Sequence, residues 1–367
     1  MTGRVAVLGA GNGGQALSAH LAMMGNQVSL YEHPDFALNL AKIKEKGGIE
    51  LTGTVEGFGR LASVSSDMEE ALQGTEVLYM VVPSFGQMPM IREAMPFIEE
   101  GMKIILIPGN FGSLEIASFL RNEGFVKGIT LAETDTLPYA CRMIEPGRVH
   151  IWGIKKGISI ASFPGKDTEK LVNTIREVFP IPLRPGDNVL EIAFSNLNMI
   201  VHCSAVLLNA GRIESTGGDF RFYTDGVTPS VGKLQEILDA ERVKVGRSLG
   251  LDLVDAVHWI KASYPVEGDS IYELLAKNPV YAGHGSDAPK MVKHRYVTED
   301  VPNLLVPVVG FARAAGVQTP VMTSLITLLS AITDGSYMDS GRNLERLGLK
   351  GMGVEKIREY LGSGSLS

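Results

Sequence analysis

Arg4-Val-Ala-Val-Leu8 runs straight into Gly9-Ala-Gly11-Asn-Gly13-Gly14, and then into Gln15-Ala-Leu-Ser-Ala-His-Leu-Ala-Met-Met24. The first stretch is a short apolar run bounded by glycine, which predicts a strand. The last is a helical stretch stopped by Gly25 and Asn26. Val28 to Tyr31 resumes as a strand and ends at Glu32. The three glycines of a G-x-G-x-x-G turn are needed for different reasons. Gly9 makes the tight turn, Gly11 admits a pyrophosphate to the backbone, and Gly14 lets helix and strand pack closely. The helix end that follows offers N–H donors and a positive dipole to phosphate, with Asn12 and Gly13 beside it. Glu32 stands 18 residues after Gly14, where a carboxylate can accept both ribose hydroxyls and repel a 2′-phosphate. The cofactor expected is therefore NAD, with NADP kept as the alternative because His33 is adjacent.

Working outward, Glu76 to Val82 and Lys103 to Ile107 are further apolar runs, ending in Pro83-Ser84 and Pro108-Gly109. Strands buried on both faces of a parallel sheet read this way. Pro83, Ser84 and Gly109 then fall at strand ends, where a dinucleotide lies in an open sheet, although proline and glycine also end strands for their own reasons. A polar cluster follows the run Ile129 to Ala132, spelled Glu133-Thr-Asp135-Thr-Leu-Pro138-Tyr-Ala-Cys141-Arg142. Such clusters are ligand contacts or ordinary turn chemistry.

At 367 residues the chain calls for two domains. The proline cluster from Pro180 to Asp187 marks the boundary, giving a dinucleotide-binding domain over 1–187 and a helical domain over 188–367. Asn188 with Glu191 reads as a helix-capping pair, and Val189 to Asn209 as one long buried helix. Asn198, His202 and Asn209 share a face of it. A histidine on an apolar helix is more often a satisfied core residue than a catalyst, but hydride chemistry needs a proton donor and acceptor near neutral pH. Helices are also expected over 231–249, 253–262, 303–315 and 321–333. The polar stretch between the second and third of these holds Asn278 to Gly285 and Arg295 to Pro302. In it, Arg295 is a planar carboxylate binder and Asp300 a carboxylate before a helix; an ion pair and an N-cap are the plainer readings of the two.

The net charge of −7 has no basic block to set against it, so nucleic acid is not expected. The two cysteines, Cys141 and Cys203, suggest neither a disulfide framework nor a metal site. No signal segment or membrane span is read, and a soluble cytoplasmic protein is expected.

Four separated motifs in order resemble the octopine/nopaline (opine) dehydrogenases: the glycine turn, Glu133 to Arg142, Asn198-x-x-x-His202 with Asn209, and Arg295-Tyr-Val-Thr-Glu-Asp300-Val-Pro302. The likeness runs on to Arg342-Asn-Leu-Glu-Arg-Leu-Gly348. It implies an α/β fold, with an N-terminal Rossmann doubly wound parallel sheet joined to an all-helical C-terminal domain. It also implies NAD-dependent reductive condensation of a 2-oxo acid such as pyruvate with an amino acid. His202 would be the acid/base and Asp300 its orienting partner. Arg295 would hold a substrate carboxylate, with Glu133, Thr134, Cys141 and Asn198 toward the substrates and no metal required. Where the commonest family pattern has proline after the histidine, this chain has Cys203. A homodimer is compatible with this picture. The competing expectations are a 2-dehydropantoate reductase-like or glycerol-3-phosphate dehydrogenase-like enzyme, against which the absence of lysine from 188–211 counts, and a non-catalytic NAD sensor.

Overall fold

The computed structural model describes residues 3–282 and 287–365. Gly283, His284 and Gly285 of the polar stretch lie outside them. The chain forms two compact units, Met1–Ala193 with Glu359–Ser367, and Phe194–Arg358. The division falls six residues beyond the expected 187/188 boundary, and the last residues of the chain belong to the first unit.

Among the described residues of the first unit, twelve strands form two sheets. They are β1 (Arg4–Leu8), β2 (Gln27–Tyr31), β3 (Gly48–Gly53), β4 (Gly57–Arg60), β5 (Ser63–Ser65), β6 (Val77–Met80), β7 (Lys103–Leu106), β8 (Thr130–Thr134), β9 (Tyr139–Glu145), β10 (Arg148–Ile154), β11 (Ile158–Phe163) and β12 (Leu183–Pro185). The larger sheet has the order β12-β11-β8-β7-β6-β1-β2-β5. It is parallel from β5 through β8, and β11 runs antiparallel to β8. Alternation along the central strands divides their side chains between two cores. Val5, Val7, Val77, Tyr79 and Ile105 enter one, and Ala6, Leu8, Leu78, Met80, Ile104 and Leu106 the other. Burial on both faces is why these segments read as unbroken apolar runs.

The second sheet, β4-β3-β10-β9, is not expected from the sequence. β9 takes in Tyr139 to Arg142, the last four residues of the polar cluster that begins at Glu133. Its burial alternates residue by residue, as in a sheet with one solvated face. The sheet packs on the helix Asn12–Met23; a side chain at Gly59 would meet the Ala19 carbonyl oxygen at 2.3 Å. That helix is consequently buried on most sides, including Gln15 and Ser18.

The second unit is helical. Its central helix, Asn198–Leu208, is buried at every position from Met199 to Val206, and packs against Pro229–Ser248, Pro320–Ile332 and the single turn Arg295–Thr298. The single helix expected over 189–209 is in fact two, Val189–Phe194 and Asn198–Leu208. The Asn196 side chain accepts from the Asn198 amide at 3.0 Å, a local bond that competes with helical pairing and breaks the run. The apolar stretch Val189–Leu208 is long enough to cross a membrane, but 83% of it is buried in protein, as in a core segment. A π-helix, Val301–Leu305, joins the Arg295–Thr298 turn to Val306–Ala314. Pro302 and Pro307 cannot donate to the helical ladder, and the widened turn directly follows Asp300.

Candidate active site

In the first unit the glycine turn closes β1 at the point where the sheet order reverses, with β2 on one side and β6 on the other. Ligands bind open α/β sheets at such switch points. Gly9 has φ +104, and a Cβ there would lie 2.5 Å from the Val81 carbonyl oxygen. A Cβ at Gly14 would lie 1.8 Å from the Gly9 oxygen, so helix and turn touch through backbone alone. Gly11 is exposed, and a Cβ there would meet nothing within 4 Å. No side chain caps the helix that begins at Asn12. An open backbone approach and an uncapped helix end fit a dinucleotide pyrophosphate.

The neighbouring side chains stiffen this turn. Glu32 is buried and accepts from the Ala10 amide at 2.7 Å and the His33 amide at 3.0 Å. Burial pushes its carboxyl upward against those two bonds. The Asn12 side chain accepts from the Met143 amide at 2.9 Å, and the Cys141 thiol, pushed up to about 12 by burial, donates to the Asn12 carbonyl. Gln15, which no sequence motif singles out, donates to the Ala10 carbonyl at 2.7 Å and accepts from the Gly147 amide at 2.9 Å. Asn12, Gln15 and Cys141 thus tie the turn to β9 and to the turn after it. Ser84 accepts from Asn110 at 2.9 Å, linking the ends of β6 and β7 where Pro83 and Gly109 also lie.

Glu133 is placed differently from the expectation that it faces the amino acid. It lies within β8, 0% exposed. Its carboxylate accepts from the Phe111 amide at 3.2 Å and from the Ser113 amide and hydroxyl at 3.1 and 2.8 Å. It therefore serves as the acceptor at the start of the helix Gly112–Asn122. Gly109 is glycine for the same reason, since a Cβ would sit 2.0 Å from that of Glu133. Thr134 is also buried, donating to the Thr136 carbonyl at 3.0 Å. For Glu133→Ala, thermal unfolding should show a loss of about 3 kcal/mol, because buried backbone donors lose their acceptor. Unchanged stability with a raised KM for the amino acid would instead return Glu133 to the substrate.

In the second unit, residues 98 apart in sequence meet: His202 Nδ1 lies 2.8 Å from Asp300 Oδ2. Only 8% of His202 and 5% of Asp300 is exposed. Burial raises the Asp300 carboxyl, and the imidazole beside it works in the opposite direction. Asp300 caps no helix with its side chain. On the other side of the ring, Nε2 lies 3.0 Å from the Tyr223 hydroxyl. The Tyr296 ring stacks on the imidazole with centroids 3.9 Å apart and planes 23° from parallel. The Cys203 thiol donates to the Tyr296 carbonyl, which ties that turn to the helix.

Arg295, one turn before Asp300, is more than half exposed. Its Nε and one terminal nitrogen donate to Glu299 Oε2 at 2.9 and 2.8 Å, and Glu299 is buried. Asn198 is exposed at the start of the helix. Asn209 donates to the Gly226 carbonyl at 2.9 Å, holding the turn that carries Tyr223. Glu299 and Tyr296 lie inside the motif that singles out Arg295 and Asp300; for Tyr223 no sequence signal exists.

An uncapped helix end at a sheet switch point in the first unit and a buried imidazole–carboxylate pair in the second fit the class of two-domain nicotinamide-dependent dehydrogenases. Residues 185–333 match the family model for the NAD/NADP octopine/nopaline dehydrogenase alpha-helical domain. Residues 4–132 match the N-terminus of NAD-dependent glycerol-3-phosphate dehydrogenase. An opine dehydrogenase of Arthrobacter sp. (strain 1C) is 35% identical over 355 residues, covering 96% of this chain and 97% of that protein. The vitopine synthase of Allorhizobium ampelinum is 28% identical, covering 98% and 99%. Among solved structures, an octopine dehydrogenase in complex with NADH and agmatine shares the fold with a TM-score of 0.81 at 21% identity, covering 97% of this chain and 98% of the other. The chain belongs to the opine dehydrogenase family. It is an NAD-dependent oxidoreductase acting on CH–NH donors, and its reaction is the reductive condensation of a 2-oxo acid with an amino acid.

Proposed function

We propose that His202 is the acid/base of this condensation, Asp300 its orienting partner and Arg295 the holder of the oxo-acid carboxylate, with a pyruvate-like oxo acid as partner to the amino acid. The single observation that carries this reading is the buried 2.8 Å contact between His202 and Asp300. A carboxylate only accepts, so it keeps the neutral ring's proton on Nδ1 and leaves Nε2 as the working nitrogen. Condensation of amine and carbonyl passes through a carbinolamine to an imine, and each stage moves a proton. One imidazole can serve them in alternation, its cationic form stabilised by Asp300. NADH held at the glycine turn supplies the hydride. Glu32 favours NAD over NADP, since its buried carboxylate would meet a 2′-phosphate. A cytoplasmic location and a homodimer complete the reading, the first supported by the ordinary globular composition and two unpaired cysteines.

The experiment is NADH oxidation with pyruvate and a panel of amino acids. Turnover must exceed the amine-free control and depend on the amino acid; equal rates with and without amine would defeat the proposal. In Arg295, the grip of Glu299 on Nε and one terminal nitrogen leaves the far edge of the fork toward solvent. Arg295→Lys should raise KM for the oxo acid about tenfold with a smaller change in kcat, because a point charge replaces a two-pronged donor. An unchanged KM would show that another group holds that carboxylate.

A further inference from the structure

The roles given to His202 and Asp300 leave a question about access, and the answer deepens that reading. Both ring nitrogens of His202 are engaged, Nδ1 by Asp300 and Nε2 by Tyr223. With the ring proton held on Nδ1, Nε2 accepts and the Tyr223 hydroxyl donates. A substrate oxygen can therefore reach Nε2 only by displacing the phenol or by bonding to it.

The surroundings of Tyr223 oppose displacement. The turn that carries it is closed by the Asp225 and Gly226 amides, which donate to the Arg221 carbonyl at 3.0 and 3.1 Å, and it is held to the central helix through Asn209. Phe222, fully buried, meets the Tyr223 ring edge-on at 5.1 Å, and Tyr281 lies against it at 4.4 Å. Phe222 also lies 5.0 Å from the ring of Tyr296, the residue stacked on the imidazole. Swinging the phenol aside would break its contacts with Phe222 and Tyr281 together. Tyr223 is partly accessible, whereas His202 behind it is buried.

We propose that Tyr223 is the group that passes protons between His202 and the substrates, so that the working unit is a carboxylate–imidazole–phenol chain. In the first transfer the ammonium group of the amino acid gives a proton to Tyr223 Oη while the hydroxyl proton moves to Nε2. The products are a free amine and an imidazolium. In the second, the carbinolamine C–O bond breaks, its oxygen taking the hydroxyl proton of Tyr223 while Oη takes the proton from Nε2. The nitrogen lone pair closes the C=N bond. One carbinolamine and one imidazolium thus yield one iminium ion, one water and a neutral imidazole. Burial holds the Tyr223 hydroxyl well above its ordinary range, so it keeps its proton in neutral solution and never accumulates as phenolate.

The experiment is Tyr223→Phe, which keeps the ring and removes one oxygen, beside His202→Ala. Tyr223→Phe should lower kcat about 100-fold with KM for both substrates and Kd for NADH within about threefold. The solvent deuterium isotope effect on kcat should rise, and the effect of deuterium at the transferred position of NADH should fall toward one, because proton transfer becomes the slow step. A merely structural role would move neither isotope effect. A kcat that stays level or rises in Tyr223→Phe overturns the relay and makes the phenol an obstacle, and so does a change confined to KM. If His202→Ala itself retains turnover, the underlying assignment fails instead, so the two failures are distinguishable.

Discussion

His202→Ala should lower kcat about 1,000-fold while leaving the Kd for NADH within about twofold, because general acid–base catalysis contributes two to four orders of magnitude and the glycine turn is built from other residues. Asp300→Asn should produce a comparable loss by another route. The amide keeps the size of the carboxylate but can donate to Nδ1, which puts the ring proton on Nε2 and removes the acceptor that the Tyr223 hydroxyl now meets. The amide also no longer offsets the charge of an imidazolium. Stopped-flow turnover and fluorescence titration with NADH on both variants separate chemistry from binding. A matching loss of NADH affinity would sink the division of roles.

Gly14→Ala has the second large effect, and it falls on the cofactor. The added Cβ would stand 1.8 Å from the Gly9 carbonyl oxygen, a backbone atom that cannot rotate away. The helix Asn12–Met23 must then shift relative to β1. It is held on its other side by the second sheet, where Gly59 meets the Ala19 backbone, so the strain is not easily relieved. Overpacking of this kind costs about 1–3 kcal/mol or more, and the displaced helix end no longer faces the pyrophosphate. Kd for NADH should rise about 100-fold, with a lowered unfolding temperature. Gly11→Ala is the control: open space at that Cβ predicts little loss of stability. Equal stability and affinity in Gly14→Ala and the parent chain would refute the close-packing role.

Much of the scaffold is legible in the sequence because each decisive signal is local. β1, the glycine turn and the helix after it are contiguous, and strands with both faces buried announce themselves as apolar runs. The second sheet escapes such a reading because polar residues interrupt its short strands; β9 follows directly on the polar run Glu133 to Thr136, which reads as a turn and hides the spacing of Tyr139, Cys141 and Met143. Glu133 misleads for a related reason. A carboxylate near a strand end reads as a ligand contact, and nothing in the sequence says that the Phe111 and Ser113 amides await it across the sheet.

The amino-acid sequence by itself determined the two-unit plan and the nucleotide-binding turn with its carboxylate at Glu32, because these depend on short-range order and residue chemistry; the resemblance to the opine dehydrogenases then singled out His202, Arg295 and Asp300. Only the tertiary structure decided which of them meet. His202 and Asp300 come together because the single turn before the π-helix packs on the central helix of the second unit, and Tyr223 reaches Nε2 because Asn209 anchors its turn. Such contacts are set by packing between distant segments, and spacing along the chain carries no record of them.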